Sequence, residues 1–588
     1  MRVLGIHDGR DPCVALLQDG AVSRIVFEAE FASEPFEITG FPREAVEHLL
    51  AVEGLSGDDI DVIAYAGQHL PEPRTRRELL KQYSESGTFR ASAKRIFKTA
   101  VGMGPRKPSR RDRLKPLEKL GLKPDRSTFI DHHLAQAALA AASTHAGDGR
   151  LLVLTCEGSG DGLAASVHVS RGGRLDRVAT IPEDNSLGGF LETVTYLLGM
   201  VPERDESLLM ELGGYARGPQ LAKVIKRLSL LFEFDPLLPL NWRRAGNMPE
   251  TRNSVDFLRN HMRRRRFDHI AGATRQFLQE FLGQWIDRCA LKTACENVVL
   301  TGSVFGLRAL YPAFASHTRV KQLSISPMPS DAGNAAGAAI MALAERFGVE
   351  HVLPLGQPWL GAEATDSECA DFARHEESRG GVWVDRPENV EDRTAELLAG
   401  GALLGRIHGR MDLSRSGFGN RSLLGRGDLP ELRAAAAQLM RPDVFWHEVP
   451  ALYLHSELDR EFVDAHKVPE NGIGEYWLAG KRAQAWPGRI NPAGPMPVQV
   501  VSEGADPSVA ALVRAFRKHA GRTPLLCAPW LGRRGTLIRT PAEARESWRD
   551  QGLDGVIAGP FIIMRRADPN ATQPKHAELA RRPFYGGL

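Results

Sequence analysis

Short apolar runs alternate with tight Asp-Gly turns at the start of the chain. The length and spacing of these runs predict three buried strands, at residues 2–6, 13–18 and 23–30. A second set shows the same pattern, with predicted strands at residues 151–155, 163–170 and 175–181. In this second set, the first turn is the acidic, glycine-rich segment 157–162. Two copies of one strand-turn unit predict a duplicated α/β domain.

The glycine-rich turns admit two interpretations. Backbone N–H groups in such turns can hold phosphate, which makes the repeat a candidate nucleotide site. The same turns also join ordinary hairpins that have no ligand. The spacing alone leaves both interpretations open.

The segment 129–142 predicts a short strand followed by an alanine-rich helix that begins near Asp131. His132 and His133 stand at the start of this helix, but successive helical residues point about 100° apart and do not share a face. Gln136, one turn after His132, is a poor metal ligand. These residues therefore fit either a capped helix start or part of a metal site.

The composition is typical of a globular protein with more than one domain. The chain has 588 residues, 43% hydrophobic and 25% charged, with a formal net charge of +3. It contains no run of 18 apolar residues and no N-terminal signal pattern, so we expect a cytoplasmic protein without membrane contact. The six cysteines lack metal-type spacing and are expected to be reduced.

A basic segment, residues 70–126, is predicted to be a helical insertion with a solvated basic face. Few aromatic residues accompany its lysines and arginines, which argues against a specific nucleic-acid site. We therefore interpret it as a surface feature.

Several motifs together resemble the nodulation and antibiotic-tailoring carbamoyltransferases. In the first half these are His132-His133-Leu134-Ala135, Ser186-Leu187-Gly188 and Pro329-Ser330-Asp331-Ala332-Gly333. In the second half they include Gly409-Arg410-Met411-Asp412, Gly419-Asn420-Arg421-Ser422 and Val498-Gln499-Val500-Val501. The order and spacing of the motifs agree over roughly residues 1–565.

This resemblance implies an α/β protein with a duplicated actin-like (ASKHA) N-terminal domain followed by a YrdC-like α/β C-terminal domain. The implied divisions are the N-terminal domain at 1–350, a linker at 351–380, the C-terminal domain at 381–566 and a tail at 567–588. In the family, the C-terminal domain makes a carbamoyl adenylate from carbamoyl phosphate and ATP. The N-terminal domain, which holds Fe(II) or another divalent metal, then transfers the carbamoyl group to a hydroxyl of a small molecule.

The resemblance also implies the site residues. His132 and Asp331 would be catalytic, and His132, Glu157 and Asp331 would hold the metal. The cofactor-binding residues would be Arg410, Arg415, Arg421, Gly302 and Gly333. Several family positions differ here, however: Gln136 replaces a metal histidine, Glu157 replaces an aspartate, and several phosphate-binding arginines and lysines are absent.

Two functions therefore stay open. The first is a divergent carbamoyltransferase of specialised metabolism that acts on a small-molecule acceptor. The second is a catalytically silent paralogue that binds an active carbamoyltransferase. The expected assembly is a homodimer or a heterodimer with a related carbamoyltransferase.

Losing several arginines that each contribute roughly 1.5–3 kcal/mol to phosphate binding would weaken the donor site by orders of magnitude.

Overall fold

The two predicted strand-turn units form two five-stranded sheets with the same strand order in this computed structural model. The structure describes residues 1–32, 39–69, 80–81, 83–84, 109–144, 149–317, 320–357, 359–412, 416–463, 472–479, 494–532 and 535–566. By its contacts the chain divides into two compact units, Met1–Leu355 and Gly356–Leu588. Arg415 and the predicted tail at 567–588 lie outside the described residues.

The first sheet of unit 1 has the order β3-β2-β1-β4-β5. Its strands are β1 (Arg2–His7), β2 (Cys13–Gln18), β3 (Ala21–Phe27), β4 (Val62–Ala66) and β5 (Ser127–Ile130). The first three strands pair antiparallel, whereas β4 pairs parallel with both β1 and β5. Their apolar side chains are buried, as the continuous hydrophobic runs predict.

The second sheet repeats this arrangement with the order β8-β7-β6-β11-β12. Its strands are β6 (Leu151–Gly160), β7 (Leu163–Arg171), β8 (Arg174–Pro182), β11 (Asn297–Thr301) and β12 (Gln322–Ile325). Again the first three strands are antiparallel, and the last two join in parallel. The matching order and sense of pairing confirm the predicted duplicated, actin-like architecture.

The predicted turn at 157–162 is mostly strand. β6 continues to Gly160, and its register with β7 shifts between Cys156 and Gly160. A bulge of this kind bends the strand locally and re-aims a side chain. Only Asp161 and Gly162 remain in the turn, both with positive φ.

The helices of unit 1 cover the sheets. They are α1 (Arg43–Glu53), α2 (Arg110–Lys119), α3 (His132–Ala142), α4 (Leu187–Leu197), α5 (Glu206–Gly213), α6 (Pro219–Leu228), α7 (Val255–His261), α8 (Phe267–Thr293), α9 (Tyr311–His317) and α10 (Asn334–Phe347). A short hairpin, β9 (Phe232–Phe234) with β10 (Trp242–Arg244), packs aromatic rings against α8. Small residues allow α10 to approach α3 closely, because a Cβ on Gly337 would lie 1.8 Å from the carbonyl oxygen of Ala135.

The described C-terminal part of the predicted insertion is helix α2, which has an exposed face carrying Arg110, Arg111, Lys115 and Lys119 and a second face that is buried. Within α2, Leu117 is fully buried in the core of the first sheet. Arg113 is also buried and forms a two-pronged ion pair with Asp8, with N···O distances of 2.9 and 2.7 Å. Its positive charge therefore serves the interior of unit 1, because a buried arginine requires a paired carboxylate.

Unit 2 contains one mixed sheet with nine described strands. Their order is β13-β21-β20-β14-β15-β19-β16-β18-β17. The strands are β13 (Val382–Asp385), β14 (Leu404–Ile407), β15 (Arg421–Arg426), β16 (Ala451–Leu454), β17 (Gly472–Tyr476), β18 (Met496–Val501), β19 (Leu525–Pro529), β20 (Gly555–Ala558) and β21 (Phe561–Arg565). This sheet agrees with the predicted α/β class of the second domain.

The helices of unit 2 pack around this sheet. They are α11 (Asp366–Arg379), α12 (Val390–Ala399), α13 (Pro430–Met440), α14 (Leu458–Glu461), α15 (Pro507–Ala520) and α16 (Pro541–Ser547). Helix α11 falls within the segment predicted as a linker, but its Cys369 and Phe372 belong to the core of unit 2. In the part of the chain that the structure describes, no helix is both long and apolar enough to cross a membrane.

Candidate functional site

Three side chains from three separate elements converge in unit 1. His132 is the first residue of α3, Glu157 lies in the bulge of β6, and Asp331 begins the turn before α10. Nε2 of His132 lies 2.6 Å from Oε1 of Glu157 and 3.3 Å from Oδ1 of Asp331. These are the three residues that the sequence resemblance assigns to a metal, and the fold brings all of them together. We call them the histidine–carboxylate centre.

Hydrogen bonds to backbone groups fix the start of α3 and therefore the position of His132. The side chain of Asp131 caps the helix by accepting from the backbone N–H of Leu134 at 3.0 Å. The carboxylate of Asp161 accepts from the backbone N–H groups of Gln68, His69 and His132, at 2.8–2.9 Å. Asp161 thereby ties the end of the first sheet to the helix that carries the site. Sequence reasoning assigned no such role to this residue.

The bulge that carries Glu157 is held by the start of α4. Ser186 caps this helix and also donates to the carbonyl oxygens of Glu157 and Gly158, at 3.0 and 2.7 Å. A Cβ on Gly188 would lie 2.5 Å from the backbone of Glu157, so only glycine allows this approach. The Ser-Leu-Gly motif therefore positions Glu157.

Two amide side chains hold the carboxylates of the centre. Nε2 of Gln136 donates to Oε2 of Glu157 at 2.6 Å, and Nδ2 of Asn334 donates to Oδ1 of Asp331 at 3.2 Å. Gln136 follows His132 by one helical turn, so helical spacing alone could have placed it beside the centre. Asn334 was missed, although it lies three residues after Asp331.

A buried chain of hydrogen bonds leads away from the centre into the second sheet. Nδ1 of His133 contacts Oγ1 of Thr155 at 2.6 Å, Thr155 contacts Oγ of Ser166 at 2.7 Å, and Ser166 contacts Nε2 of His168 at 2.7 Å. All four residues are fully buried. Nε2 of His133 faces the carbonyl of Leu163 and lies 3.5 Å from Glu157. The chain fixes the ring of His133 beside Glu157 but does not make it a member of the metal-binding group.

The charges of the centre stabilise one another. Burial opposes protonation of His132, but the charges of Glu157 and Asp331 outweigh it and raise the pKa of His132 well above its ordinary value. Burial alone would raise the pKa of Asp331, yet His132 and His7 hold it far below the usual range. The pKa of His133 is lowered, mainly by burial. Without a metal, the centre is therefore a charged imidazolium–carboxylate cluster.

The centre opens on a cavity of about 720 Å³ within unit 1. Carboxylates dominate the charged groups of its wall, where Glu192 and Glu206 lie apart from the centre. The hydroxyl of Tyr83 donates to Oε2 of Glu192 at 2.8 Å. Burial, together with the charge of Glu192, raises the pKa of Glu206 to about 8. Sequence reasoning did not identify this second carboxylate group.

The two predicted glycines have packing roles in the structure. A Cβ on Gly302, which has φ +98°, would lie 2.3 Å from the carbonyl oxygen of Cys156. A Cβ on Gly333 would lie 2.7 Å from Leu139. Among the described residues, the neighbouring Ser303 and Asp331 line the cavity instead.

The described arginines predicted for unit 2 are held by backbone carbonyls. All five N–H groups of Arg421 donate to carbonyl oxygens, those of Ala362, His408, Gly409, Asn420 and Arg539. Arg421 is fully buried, and burial lowers its pKa to about 10. Arg410 is partly buried and donates to the carbonyls of Leu360 and Gly361. In this conformation Arg421 has no N–H left for a phosphate.

Comparison with known proteins identifies matches over most of the chain. The family models "Carbamoyltransferase N-terminus" and "Carbamoyltransferase C-terminus" match residues 2–340 and 395–565. Nodulation protein NolNO of Sinorhizobium fredii is 24% identical over 601 residues, covering 95% of this chain and 79% of the relative. Nodulation protein NolO of Bradyrhizobium diazoefficiens is 24% identical over 480 residues, covering 78% and 83%.

Solved structures show weaker likeness. HypF in a phosphate- and nucleotide-bound form is 12% identical, with a TM-score of 0.33, covering 59% of this chain and 56% of HypF. The activator of 2-hydroxyisocaproyl-CoA dehydratase from Clostridium difficile, with bound ADPNP, is 13% identical with a TM-score of 0.32. It covers 59% of this chain and 95% of the activator. These scores are too low to decide the fold, which rests on the strand order described above.

Proposed function

This chain belongs to the carbamoyltransferase family, and we propose that it transfers a carbamoyl group to a hydroxyl of a small-molecule acceptor in specialised metabolism. The proposed donor is carbamoyl phosphate, activated with ATP as a carbamoyl adenylate. The observation that carries the proposal is the convergence of His132, Glu157 and Asp331 beside a cavity of about 720 Å³. Such a cavity falls within the size range of small-molecule sites.

The centre fits a divalent metal. Although Oε1 of Glu157 lies 2.6 Å from His132, the contact lacks hydrogen-bond geometry, and this buried oxygen has no hydrogen-bond partner. The donor atoms of the three residues all lie within 4.8 Å of one another, so these residues could hold one ion together. Gly160 keeps the space beside them open, since a Cβ there would lie 2.3 Å from the His132 ring and 2.4 Å from Glu157. A metal bound by these residues would polarise the carbamoyl carbonyl.

The protein's own groups would orient the acceptor. In the transfer, the hydroxyl oxygen forms a bond to the carbamoyl carbon while the bond from that carbon to the donor oxygen breaks, and the hydroxyl proton leaves to solvent. Asp331 is the most exposed member of the centre, with 27% of its side chain accessible. Asp331 is therefore placed to orient the hydroxyl, and Asn334 keeps its carboxylate in place.

The family resemblance assigns donor activation to unit 2. Because Arg421 is fully engaged with carbonyls, Arg410 is the better of the two described arginines for a phosphate contact there. Activation and transfer would then be separate half-reactions that can be measured separately.

The test uses the full chain with ATP, carbamoyl phosphate and a divalent metal. Release of pyrophosphate reports activation, and incorporation of labelled carbamoyl into a panel of hydroxyl-bearing sugars reports transfer. We expect His132→Ala and Asp331→Asn to reduce transfer about 10²–10³-fold, the usual loss for a transition-state contact, without changing pyrophosphate release. His351→Ala, an exposed histidine outside the cavity, serves as the control. If the wild type shows neither half-reaction, the silent-partner alternative gains support.

A further inference from the structure

Positive charge in unit 1 is concentrated in two segments that the proposed function does not use. Residues 217–230 and 257–267 together hold nine lysines and arginines and no carboxylate. The formal net charge of the whole chain is +3, so the rest of the chain is net negative. The described residues that line the cavity include none from these two segments. This positive charge therefore lies outside the proposed substrate site.

The fold brings the two segments side by side. At the start of α6, the carbonyl oxygen of Arg217 lies 2.9 Å from Nε2 of His269 on α8. At the end of α6, Arg227 donates to the carbonyl oxygen of His261, the last residue of α7, at 3.4 Å. The connection from α7 to α8, residues 262–266, therefore runs along α6. The two segments form one surface, which we call the basic surface.

The cations of α6 share one face of the helix. Lys223, Lys226 and Arg227 follow one another at helical spacing, which places them together on the exposed side. Val224 and Leu228 lie on the opposite side and are buried. The helix is therefore anchored by its apolar side and presents its charges to solvent.

Most cations of the basic surface have no carboxylate partner. Arg259 and Arg266 pair with Asp256 and Asp268. The other seven lysines and arginines of the two segments form no ion pair with a described carboxylate. A surface of one sign attracts the opposite charge, so charge complementarity selects an anionic partner.

Two large apolar side chains stand among these cations and are open to solvent. Leu230 follows Arg227 by three residues and is 67% exposed, and Phe267 directly follows Arg266 and is 61% exposed. Cations beside exposed leucine and phenylalanine suit an anionic bilayer, where the cations meet phosphate groups and the apolar side chains enter the interface. A nucleic acid bound through its phosphates would leave Leu230 in water.

We propose that the basic surface is a docking site for an anionic lipid bilayer, whose headgroups contact the cations while Leu230 and Phe267 enter the interface. The expectation of no membrane contact rested on the lack of an apolar run long enough to span a bilayer. Surface binding requires no such run. The proposal does not depend on the proposed function, because the basic surface lies outside the cavity.

The experiment measures sedimentation of the full chain with lipid vesicles. The probes are vesicles of equimolar phosphatidylglycerol and phosphatidylcholine, vesicles of phosphatidylcholine alone, and a short DNA duplex. We expect tight binding only to the mixed vesicles. A variant that combines Lys223→Gln, Lys226→Gln and Arg263→Gln should bind them about 10²-fold more weakly, because three cations leave the bilayer surface. Leu230→Ser with Phe267→Ser should weaken binding about tenfold through the loss of apolar contact.

A matched control is available on the exposed face of α2. Arg111→Gln, Lys115→Gln and Lys119→Gln, combined in one variant, remove the same charge from another helix and should change binding less than about twofold. Both triple variants replace exposed side chains, so both should unfold at the wild-type temperature. Equal losses of vesicle binding in the two triple variants would overturn the proposal, since binding would then follow net charge alone. Equal binding to phosphatidylcholine vesicles, or tighter binding to the DNA duplex, would also overturn it.

Discussion

Buried charged groups differ in their hydrogen bonding between the two units, as the histidine–carboxylate centre of unit 1 and Arg421 of unit 2 show. Around Arg421, every N–H group donates to a backbone carbonyl oxygen. The guanidinium group therefore holds together the backbone segments that carry these carbonyls. In unit 1, Oε1 of Glu157 and Oδ1 of Asn334 are buried without hydrogen-bond partners, and Asp331 remains partly open to a cavity. A polar group left unsatisfied costs stability, and sites that bind ligands commonly carry that cost.

This contrast separates residue type from residue role. Both places carry residues that a family resemblance would assign to a ligand. At the centre of unit 1, buried oxygens lack hydrogen-bond partners, whereas every N–H group of Arg421 is engaged. The satisfaction of donors and acceptors therefore distinguishes a structural charge from a functional one better than the identity of the side chain does. Replacing Arg421 should therefore destabilise the protein, whereas replacing the buried carboxyl group of Glu206 in unit 1 should stabilise it at high pH.

The largest expected effect is the loss of stability when Arg421 is replaced. Arg421→Met should lower the free energy of unfolding by about 4 kcal/mol, because five carbonyl oxygens lose their donor in a buried place. Chemical denaturation of the full chain measures the change. Arg460→Met, an exposed arginine of the same unit, should change it by less than about 0.5 kcal/mol.

A second variant keeps this prediction testable if Arg421→Met does not fold. Arg421→Lys keeps the charge but supplies three donors in place of five, so it should fold with an intermediate loss of stability. An Arg421→Lys protein of wild-type stability that fails to release pyrophosphate would instead assign Arg421 to the donor. That result would remove the contrast between the two units.

Much of the fold could be predicted from the sequence because local patterns determine it. The apolar runs of β1 and β6 and the cap at Asp131 use residues that are close along the chain. The identity of the ligands at the centre followed from the resemblance. The role of Arg421 could not be predicted, because its acceptors include Ala362 and Arg539, which lie far away in sequence.

The length of the acidic turn was mispredicted for a similar reason. Glycines at 158 and 160 suggest a loop, but pairing with β7 and the contacts from Ser186 and Gly188 hold this segment as a bulged strand. Tertiary contacts thus override a local preference for turn. The resulting bulge is what aims Glu157 at His132.

The second-largest expected effect concerns Glu206 in the cavity wall of unit 1, where a substitution should raise the stability of the protein. Its pKa is raised from 4.5 to about 8, mainly by burial and then by Glu192, so the folded state holds the proton more tightly than the unfolded state. This contribution to stability is complete below about pH 4.5 and is lost as the pH rises through about 8. Glu206→Gln stays neutral, so it should be more stable than wild type by roughly 2 kcal/mol at pH 9 and equal to it at pH 4.

Thermal unfolding at the two pH values measures the effect of Glu206→Gln. Glu280→Gln, on the exposed face of α8, provides the control and should show no pH-dependent difference. A Glu206→Gln protein that is less stable than wild type at pH 9 would show that the bond from the backbone N–H of Glu203 to this carboxylate outweighs the cost of burying its charge. The difference in hydrogen bonding between the units would then hold only for the histidine–carboxylate centre and not for the rest of the cavity wall.

The smallest expected effect tests the hydrogen-bond chain behind the centre. Thr155→Val keeps the shape of the side chain but removes the hydroxyl that contacts His133 and Ser166 and accepts from the backbone N–H of Ser166. We expect a loss of about 1.5 kcal/mol, measured by chemical denaturation, because three buried polar groups lose a partner. Thr301 is its direct neighbour on β11, and its buried hydroxyl has no hydrogen-bond partner. Thr301→Val should therefore leave the stability unchanged or raise it. Equal losses of stability in Thr155→Val and Thr301→Val would show that the hydrogen bonds of Thr155 contribute nothing beyond side-chain packing.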